Sequence, residues 1–308
     1  MGESRAHHFL PQCWLSGFTG VGADGGFLYA TDLKRKNQFR CKPSGVGHRR
    51  DYNRMSQSGV VDPLAMEKSF GKIESAVAPL LRVLANERRG IRDDFELGTL
   101  VEFMAIQAIR VPTFRAFVKR TTMKHLRERL LRNRQTWEDA LRAASIPLDR
   151  PSSDYSRVVQ AVDSGGIYMV DDPAFHLKQG ANQLQAIDDG LKRRKWHQLF
   201  SQKGLFIASD NPVVLDGEQN QRYGFSNAPL VVFPVNRFLL LCGSHEDAPP
   251  ITVTTKLIAE INTSLMMSAD EQVYSHRPDF YWLDSEGRCQ NDWTRFNRSD
   301  FPEVRIGP

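Results

Sequence analysis

The sequence predicts an α+β fold, in which a central helical bundle packs on a mainly antiparallel sheet formed by the C-terminal strands and an N-terminal strand. Apolar residues at helical spacing dominate residues 63–192, whereas β-branched and aromatic runs dominate residues 195–245. The two patterns do not alternate as they would in a βαβ fold. We therefore expect one domain over residues 1–308, with further β structure at 7–54 and a C-terminal helix at 252–268.

The composition is that of an ordinary globular protein. Of 308 residues, 41% are hydrophobic and 25% are charged, and four scattered cysteines show neither zinc-site nor disulfide-framework spacing. The net charge of +5 permits a nucleic acid or another phosphate-bearing anion as partner without requiring one. The start lacks a secretory-signal pattern, and no run approaches the ~18 apolar residues of a membrane span. We expect a cytoplasmic protein without membrane association, and its oligomeric state stays open.

The first 54 residues predict a small β-containing lead-in. Residues 27–33, FLYATDL, have the alternation and composition of a strand and follow a Gly-rich turn. Residues 41–54 are polar, basic and rich in glycine, which favours a loop.

The helical part begins near residue 63, where apolar residues recur at spacings of three and four. Pro79 lies inside this first helix and predicts a kink or a break. Asp93 predicts the start of a second helix, which Pro112 ends or bends, and a strongly basic helix follows over 113–134. Shorter helices are expected at 135–145, 153–163 and 173–192.

The C-terminal part predicts strands. KWHQLFS (195–201) and GLFIASDN (204–211) are expected to form a hairpin, and the runs PVVL, APLVVFPV and RFLLLCGS continue the sheet. A helix at 252–268 then precedes an aromatic tail at 273–284.

Polar side chains interrupt the most apolar helix of the chain. Residues 100–111 are apolar nearly all round, yet Gln107 and Arg110 share one sector with Glu102. A buried arginine requires an anion. Glu74, Asp210 or a bound phosphate or carboxylate are the candidates, so Arg110 is either half of a structural ion pair or part of a site.

The segment FIASDNPVV places Ser209, Asp210 and Asn211 after a buried strand and before a proline. One interpretation is a tight connection, because Asx residues before proline are turn formers. The other is a site, because a carboxylate and an amide at a rigid strand end can position a water, a metal or a ligand hydroxyl.

His7 and His8 are adjacent, so their rings point to opposite sides of a strand or about 100° apart on a helix. We do not expect them to bind one metal together. One of them could act as general acid or base while the other packs, or both could be structural.

Basic residues cluster at 34–54, 115–134 and 192–195. Such clusters either track phosphates or form solvated helix faces. The candidate nucleic-acid surface consists of Arg115, Lys119, Arg120, Lys124 and Arg127.

Four elements in this order resemble a mostly bacterial family catalogued as domain of unknown function 4238. They are HHFLPQCWLSGFT at 7–19, Ile73 with Glu74, QAIRVPTFR at 107–115 and FIASDNPVVL at 206–215. The family carries no settled reaction, so the resemblance implies a shared constellation and not a chemistry. Its members are His7, His8, Glu74, Gln107, Arg110, Ser209, Asp210, Asn211 and Pro212.

The first functional hypothesis is a hydrolase acting on a phosphodiester, as a nuclease-like effector. His7 or His8 would be the general acid or base, Arg110 would clamp a phosphate, and Asp210 with Asn211 would orient a water or a divalent metal, Mg²⁺ or Mn²⁺. Supporting positions would be Glu74, Gln107 and Ser209.

The alternatives come from other classes. In one, the same polar residues form a buried network within a non-catalytic binding or structural module. In the other, the protein binds nucleic acid without chemistry, through its basic helix.

Overall fold

The computed structural model describes the chain in segments that together cover most of it. They are residues 5–21, 25–55, 62–132, 134–143, 145, 147–149, 154–164, 172–217, 223–247 and 251–301. The chain divides into two compact units, one of Met1–Phe114 with Pro173–Pro308 and one of Arg115–Asp172. This division does not test the expectation of one domain, which stays a prediction.

The α+β class is confirmed. Helices occupy the predicted regions, and no helix in the described segments is long and apolar enough to cross a membrane. The helices are α1 (Gln12–Leu15), α2 (Ala65–Asn86), α3 (Asp94–Arg110), α4 (Pro112–Arg132), α5 (Arg134–Ala143), α6 (Tyr155–Asp163), α7 (Pro173–Lys192) and α8 (Thr255–Ser268).

Local signals explain where the central helices begin and end. The Asp93 side chain accepts a hydrogen bond from the Glu96 N–H at 2.8 Å, which caps α3 as predicted. Val111 is extended, because a residue before proline is driven out of the α region, so α3 ends and α4 starts at Pro112. Pro79 does not divide α2. It is exposed, and the buried Val77 and Leu81 hold the helix together on its other side.

The strands pair antiparallel throughout the described segments, in four sheets ordered β1-β4, β3-β2-β10-β6, β5-β9-β8-β7 and β11-β12. Their bounds are β1 (Ala6–His8), β2 (Leu28–Asp32), β3 (Asn37–Cys41), β4 (His48–Arg50), β5 (Lys195–Phe200), β6 (Ala208–Ser209), β7 (Val214–Asp216), β8 (Leu230–Pro234), β9 (Leu239–Ser244), β10 (Gln272–Ser275), β11 (Trp282–Leu283) and β12 (Cys289–Gln290).

Two details of strand pairing differ from the prediction. An N-terminal strand does join C-terminal strands, since β2 pairs with β10 and β10 with β6, but the other C-terminal strands, β5 and β7 to β9, form a separate sheet. The expected hairpin of 195–201 with 204–211 is also wrong. Six residues of β5 pair with β9, a longer register than the two-residue β6 could offer, and β6 pairs with β10 instead.

An aromatic group holds the N-terminal segment against the rest of its unit. The Trp14 ring is stacked on the Phe233 ring at 5.9 Å, and the Phe103 ring lies 6.2 Å from Phe233 in an edge-on orientation. The Trp14 indole N–H donates to the carbonyl of Pro234 at 2.9 Å. Burial of each such ring contributes roughly 1.5–3 kcal/mol, so these contacts hold α1 firmly against β8.

Candidate functional site

Strand β1 presents the two histidines to different surroundings. His7 pairs with Arg49 and His8 with His48 across β1 and β4. His7 is 1% exposed and His8 is half-buried. This agrees with the expectation that neighbouring side chains point to opposite faces of a strand.

The His7 ring is held by the loop that follows β4. Its Nδ1 accepts a hydrogen bond from the Asn53 backbone N–H at 3.0 Å, so the proton of the neutral ring resides on Nε2. The Asn53 amide donates to Glu67 Oε2 at 2.8 Å, and that oxygen lies 4.0 Å from His7 Nδ1. The Asn53 main chain therefore holds His7 directly, and the Glu67 carboxylate in turn holds the Asn53 side chain.

The His8 ring lies near a second imidazole. Its centroid is 5.0 Å from that of His48, and its Nε2 is 3.4 Å from the Gln12 amide nitrogen. Burial, together with the charge of His48, lowers the pKa of His8. A neutral His8 can accept a proton at neutral pH but is a poor proton donor.

Arg110 joins three elements. One guanidinium nitrogen, Nη2, lies 2.8 Å from Glu74 Oε1 and donates to the His8 carbonyl at 2.8 Å. The guanidinium carbon lies 4.2 Å from the centre of the Phe70 ring. The hydroxyl of Tyr52 donates to the Arg110 carbonyl at 3.0 Å. The ion pair with Glu74 is the structural alternative considered for this arginine, and it fixes β1 against α2 and α3.

Several polar atoms of this cluster have no hydrogen-bond partner in the described segments. They are both amide atoms of Gln107, Nε and Nη1 of Arg110, and Nε2 of His7. The three side chains are 0%, 2% and 1% exposed. Because they are sealed from solvent, a substrate could reach them only if the N-terminal segment moved. We call His7, Asn53, Glu67, Glu74, Gln107 and Arg110 the N-terminal cluster.

Asp210 is saturated by backbone donors. Its Oδ1 accepts from the Asp270 N–H at 2.7 Å, and its Oδ2 accepts from the N–H groups of Glu271 and Gln272 at 2.7 and 2.8 Å. Burial raises the pKa of this carboxyl to about 6, against the opposing effect of the three donors. We call this arrangement the Asp210 clamp. A metal or a water would have to displace a backbone N–H to use the same oxygens.

Ser209 and Asn211, which flank Asp210 in the sequence, form hydrogen bonds at the same turn. The Ser209 hydroxyl donates to the Asn211 carbonyl at 2.7 Å, and the Asn211 amide donates to the Ser268 carbonyl at 3.1 Å. Pro212 follows this connection. The Ser-Asp-Asn-Pro loop therefore ties the end of α8 and the start of β10 to β6.

The sequence-predicted constellation is divided into two clusters. Among the described residues, no hydrogen bond or ion pair joins Asp210 to His7, His8 or Arg110. The connection is indirect: Arg49, opposite His7 in β4, lies 3.5 Å from the carboxylate of Asp270, whose N–H binds Asp210. Within the constellation, Arg110 contacts Glu74 and the His8 carbonyl, and Ser209 contacts the Asn211 carbonyl, but the two groups do not meet directly in the described segments.

Sequence reasoning missed several members of these clusters. Glu74 was predicted, but Glu67 was not. Glu67 stands seven residues before Glu74 with Phe70 between them, which places all three on one face of α2, and that spacing was a usable signal. Asn53 and Arg49 lie outside any periodic helix, so nothing local marked them. Cys13 neighbours Glu74, but burial and then the charge of Glu74 raise the pKa of its thiol to about 11, which keeps it protonated.

No group of three His, Cys, Asp or Glu side chains in the described part of the chain is arranged to hold a metal ion. Asp210 is therefore without companion ligands there.

The candidate nucleic-acid surface on α4 requires one correction. Arg115 is 8% exposed, so it is buried and does not belong to a surface. Lys119 is half-buried. Arg120, Lys124 and Arg127 are exposed and stand at i, i+4 and i+7, which places them on one face of the helix.

Comparison with known proteins yields one match. A family model described as "Protein of unknown function (DUF4238)" matches residues 6–279. No curated protein and no solved structure matches the chain.

Proposed function

The chain belongs to the DUF4238 family, and from that premise we propose that it is a non-catalytic binding or structural module rather than a hydrolase. The observation that supports this proposal is the engagement of the candidate catalytic side chains with their own chain. Arg110 binds Glu74 and the His8 carbonyl, and Asp210 binds three backbone N–H groups.

The N-terminal cluster fastens the first strand to the helices. Arg110 lies under β1 and is neutralised by Glu74, while His7 is bound to the loop that carries Asn53. Breaking such a buried ion pair by removing one partner costs about 3–5 kcal/mol. Contacts of this strength keep β1 in place.

The Asp210 clamp holds residues that lie near the C-terminal end of the sequence, in the same compact unit. Three donors converge on one carboxylate that is 4% exposed, and the donors are consecutive residues between α8 and β10. Leaving such buried donors without a partner costs about 1–3 kcal/mol for each group. The clamp therefore sets the turn that brings β10 between β2 and β6.

The competing proposal remains a phosphodiester hydrolase of nuclease-like type. It needs a histidine, a phosphate clamp and a water-orienting carboxylate that contact one substrate. His7 does not supply the histidine, since its Nδ1 accepts from the Asn53 N–H and the neutral ring that this leaves is a poor proton donor. The burial of His7, Arg110 and Asp210 argues against it.

One experiment separates the two proposals. Wild-type protein, His7→Gln and Asp210→Asn are incubated with RNA, DNA and bis(p-nitrophenyl) phosphate, with and without Mg²⁺ or Mn²⁺, and their unfolding is measured in urea. The module predicts no turnover by any of them and a clear loss of stability in both variants when unfolding is measured at about pH 4, where the contribution of Asp210 is fully present. Metal-dependent turnover that disappears in a variant of unchanged stability would establish the hydrolase instead.

A second candidate function, nucleic-acid binding, is favoured by the exposed face of Arg120, Lys124 and Arg127 on α4. Three cations on one face can contact successive phosphates, and each contact steepens the salt dependence of affinity.

Its test is the binding of a fluorescent single-stranded RNA at several salt concentrations. The triple variant Arg120→Gln/Lys124→Gln/Arg127→Gln should lower the slope of log affinity against log salt by about two to three. Arg295→Gln, at an exposed arginine outside the three basic clusters, is the control. An identical slope in the triple variant would reject this function.

A further inference from the structure

Two cations of the basic cluster at 34–54 have no carboxylate partner. Arg40 and Lys42 are exposed, and no carboxylate of the described segments lies within 4.0 Å of either charged group. Several other cations of this cluster form ion pairs with the chain's own carboxylates, namely Lys34, Arg35, Arg49 and Arg50. Arg40 and Lys42 therefore keep their charge for an anion from outside the chain.

The same two cations contact one aromatic ring. The guanidinium carbon of Arg40 lies 4.3 Å from the centre of the Phe27 ring, and Nζ of Lys42 lies 5.9 Å from it. Phe27 is itself 39% exposed. Phe27 precedes the basic cluster in the sequence, so it is the pairing of β2 with β3 that brings an aromatic ring to these charges.

The register of the β2–β3 hairpin explains this arrangement. Arg40 pairs with the half-buried Tyr29, and side chains alternate along a strand, so both stand on the side that carries Phe27. Phe39 stands on the other side of β3. Strand β3 is the edge of its sheet in the described segments, so its outer side is open to a partner. We call Phe27, Tyr29, Arg40 and Lys42 the hairpin face.

We propose that the hairpin face binds single-stranded nucleic acid. The unstacked bases of a single strand can stack on an exposed phenylalanine ring or on an arginine guanidinium plane, and both are present here. Arg40 and Lys42 match the phosphates in charge. A duplex keeps its bases stacked within itself and an acidic peptide has none, so either of them would use the two cations and leave the ring unused.

This inference goes beyond the proposed function. The hairpin face shares no residue with the N-terminal cluster, with the Asp210 clamp or with the exposed basic face of α4. Its failure would therefore leave those proposals as they stand.

Fluorescence anisotropy with a labelled oligouridine of about 12 nucleotides, at several salt concentrations, tests the hairpin face. Phe27→Ala should weaken binding by about tenfold, because it removes a stacking surface, whereas Phe27→Tyr should bind like wild-type protein. Arg40→Gln/Lys42→Gln should lower the slope of log affinity against log salt by about 1.4, because each single-strand phosphate contact contributes about 0.7.

The chain offers a matched control for each variant. Phe39→Ala removes a ring with the same exposed fraction, 39%, from the other side of the same strand, and should leave the affinity unchanged. Lys256→Gln/Arg295→Gln removes two exposed cations elsewhere in the chain and should leave the salt slope unchanged. The loss caused by Phe27→Ala should also appear in the triple variant of α4, which separates the two surfaces.

Three results would overturn the proposal. The first is the absence of binding to wild-type protein at about 100 μM, which is weaker than ordinary non-specific binding. The second is an affinity that Phe27→Ala leaves unchanged. The third is equally tight binding of a labelled polyglutamate peptide, which would mean that the face takes any polyanion. Because Phe27 is exposed, Phe27→Ala should fold, and its circular dichroism spectrum verifies that.

Discussion

Arg110 illustrates how a single side chain serves several elements at once. Its guanidinium contacts a helix through Glu74, a strand through the His8 carbonyl and an aromatic ring through Phe70, while its own carbonyl accepts from Tyr52. Glu74 is about one quarter exposed, so the pair sits at the border of the buried region. Glu74 neutralises the charge of Arg110, so removing the Arg110 guanidinium leaves the Glu74 carboxylate without a counter-ion.

This arrangement predicts a specific pattern in a double-mutant cycle. Arg110→Met should lower the free energy of unfolding by about 3–5 kcal/mol, because Glu74 and the His8 carbonyl lose their partner. Arg110→Met/Glu74→Leu should recover part of that loss, since an apolar pair leaves no uncompensated charge. Urea unfolding of the four proteins measures this. Additive losses would mean that the ion pair contributes nothing to stability.

The Asp210 clamp predicts a pH dependence. Burial raises the pKa of this carboxyl from its ordinary 3.8 to about 6 in the folded protein. Its contribution to stability is therefore fully present below about pH 4 and is lost as the pH rises through about 6. Relative to Asp210→Asn, wild-type protein should lose roughly 3 kcal/mol of unfolding free energy over that range.

Urea unfolding of wild-type protein and Asp210→Asn at about pH 4 and about pH 7 measures this difference. A difference that grows in favour of wild-type protein with rising pH would show that the three backbone donors outweigh burial and lower the pKa instead.

At the scale of elements, the pairing of β1 with β4 depends on one glycine. Gly47 has a φ of +66°, and its carbonyl accepts from the N–H groups of Phe9 and Leu10 at 2.8 and 3.0 Å. A Cβ at this position would lie 2.8 Å from the Cβ of Leu10. Both the backbone conformation and the close approach therefore require glycine here.

Gly47→Ala should destabilise the protein by more than about 1 kcal/mol and speed hydrogen exchange in β1. Gly71→Ala is the matched control, because Gly71 lies inside α2 with open space around its Cβ position. That variant should be stabilised by roughly 0.5–1 kcal/mol. Thermal unfolding and hydrogen exchange give both values, and a neutral Gly47→Ala would contradict the requirement for glycine.

At the scale of the whole molecule, the reactivity of the four cysteines measures how well the fold keeps reagents away from its side chains. All four are free thiols. Burial raises the pKa of Cys13 and Cys41 to about 11 and that of Cys242 to about 12, whereas Cys289 is exposed. Only the thiolate reacts with alkylating agents, so protonation protects the partly buried Cys13 and Cys41, and burial also protects Cys242.

Iodoacetamide should label Cys289 first in the native protein, and the other three only on unfolding. Mass spectrometry of peptides from native and urea-unfolded samples measures the order, with Cys289→Ser as the control that should stay nearly unlabelled. Early labelling of Cys13 would show that the N-terminal segment opens readily, which would reopen the N-terminal cluster to a substrate.

Much of the fold follows from local chemistry. The Asp93 cap, the helix boundary at Pro112 and the α8 helix depend on residues within a few positions of one another, and each was predictable. The presence of an anion beside Arg110 was also predictable, because a buried guanidinium requires one. Of the kink or break predicted at Pro79, the break does not occur, since α2 continues through this exposed residue while Val77 and Leu81 pack on the other side.

The sequence by itself determined the α+β class, the order of the helices and the polar side chains that had to find partners. Only the tertiary structure decided which groups those partners are. Strand β5 pairs with β9 rather than with β6, Arg110 forms an ion pair with Glu74, and Asp210 accepts hydrogen bonds from three consecutive backbone N–H groups. The physical reason is distance along the chain. Helical spacing and capping act between neighbours, whereas strand pairing and the neutralisation of a buried charge join residues that only the folded chain brings together.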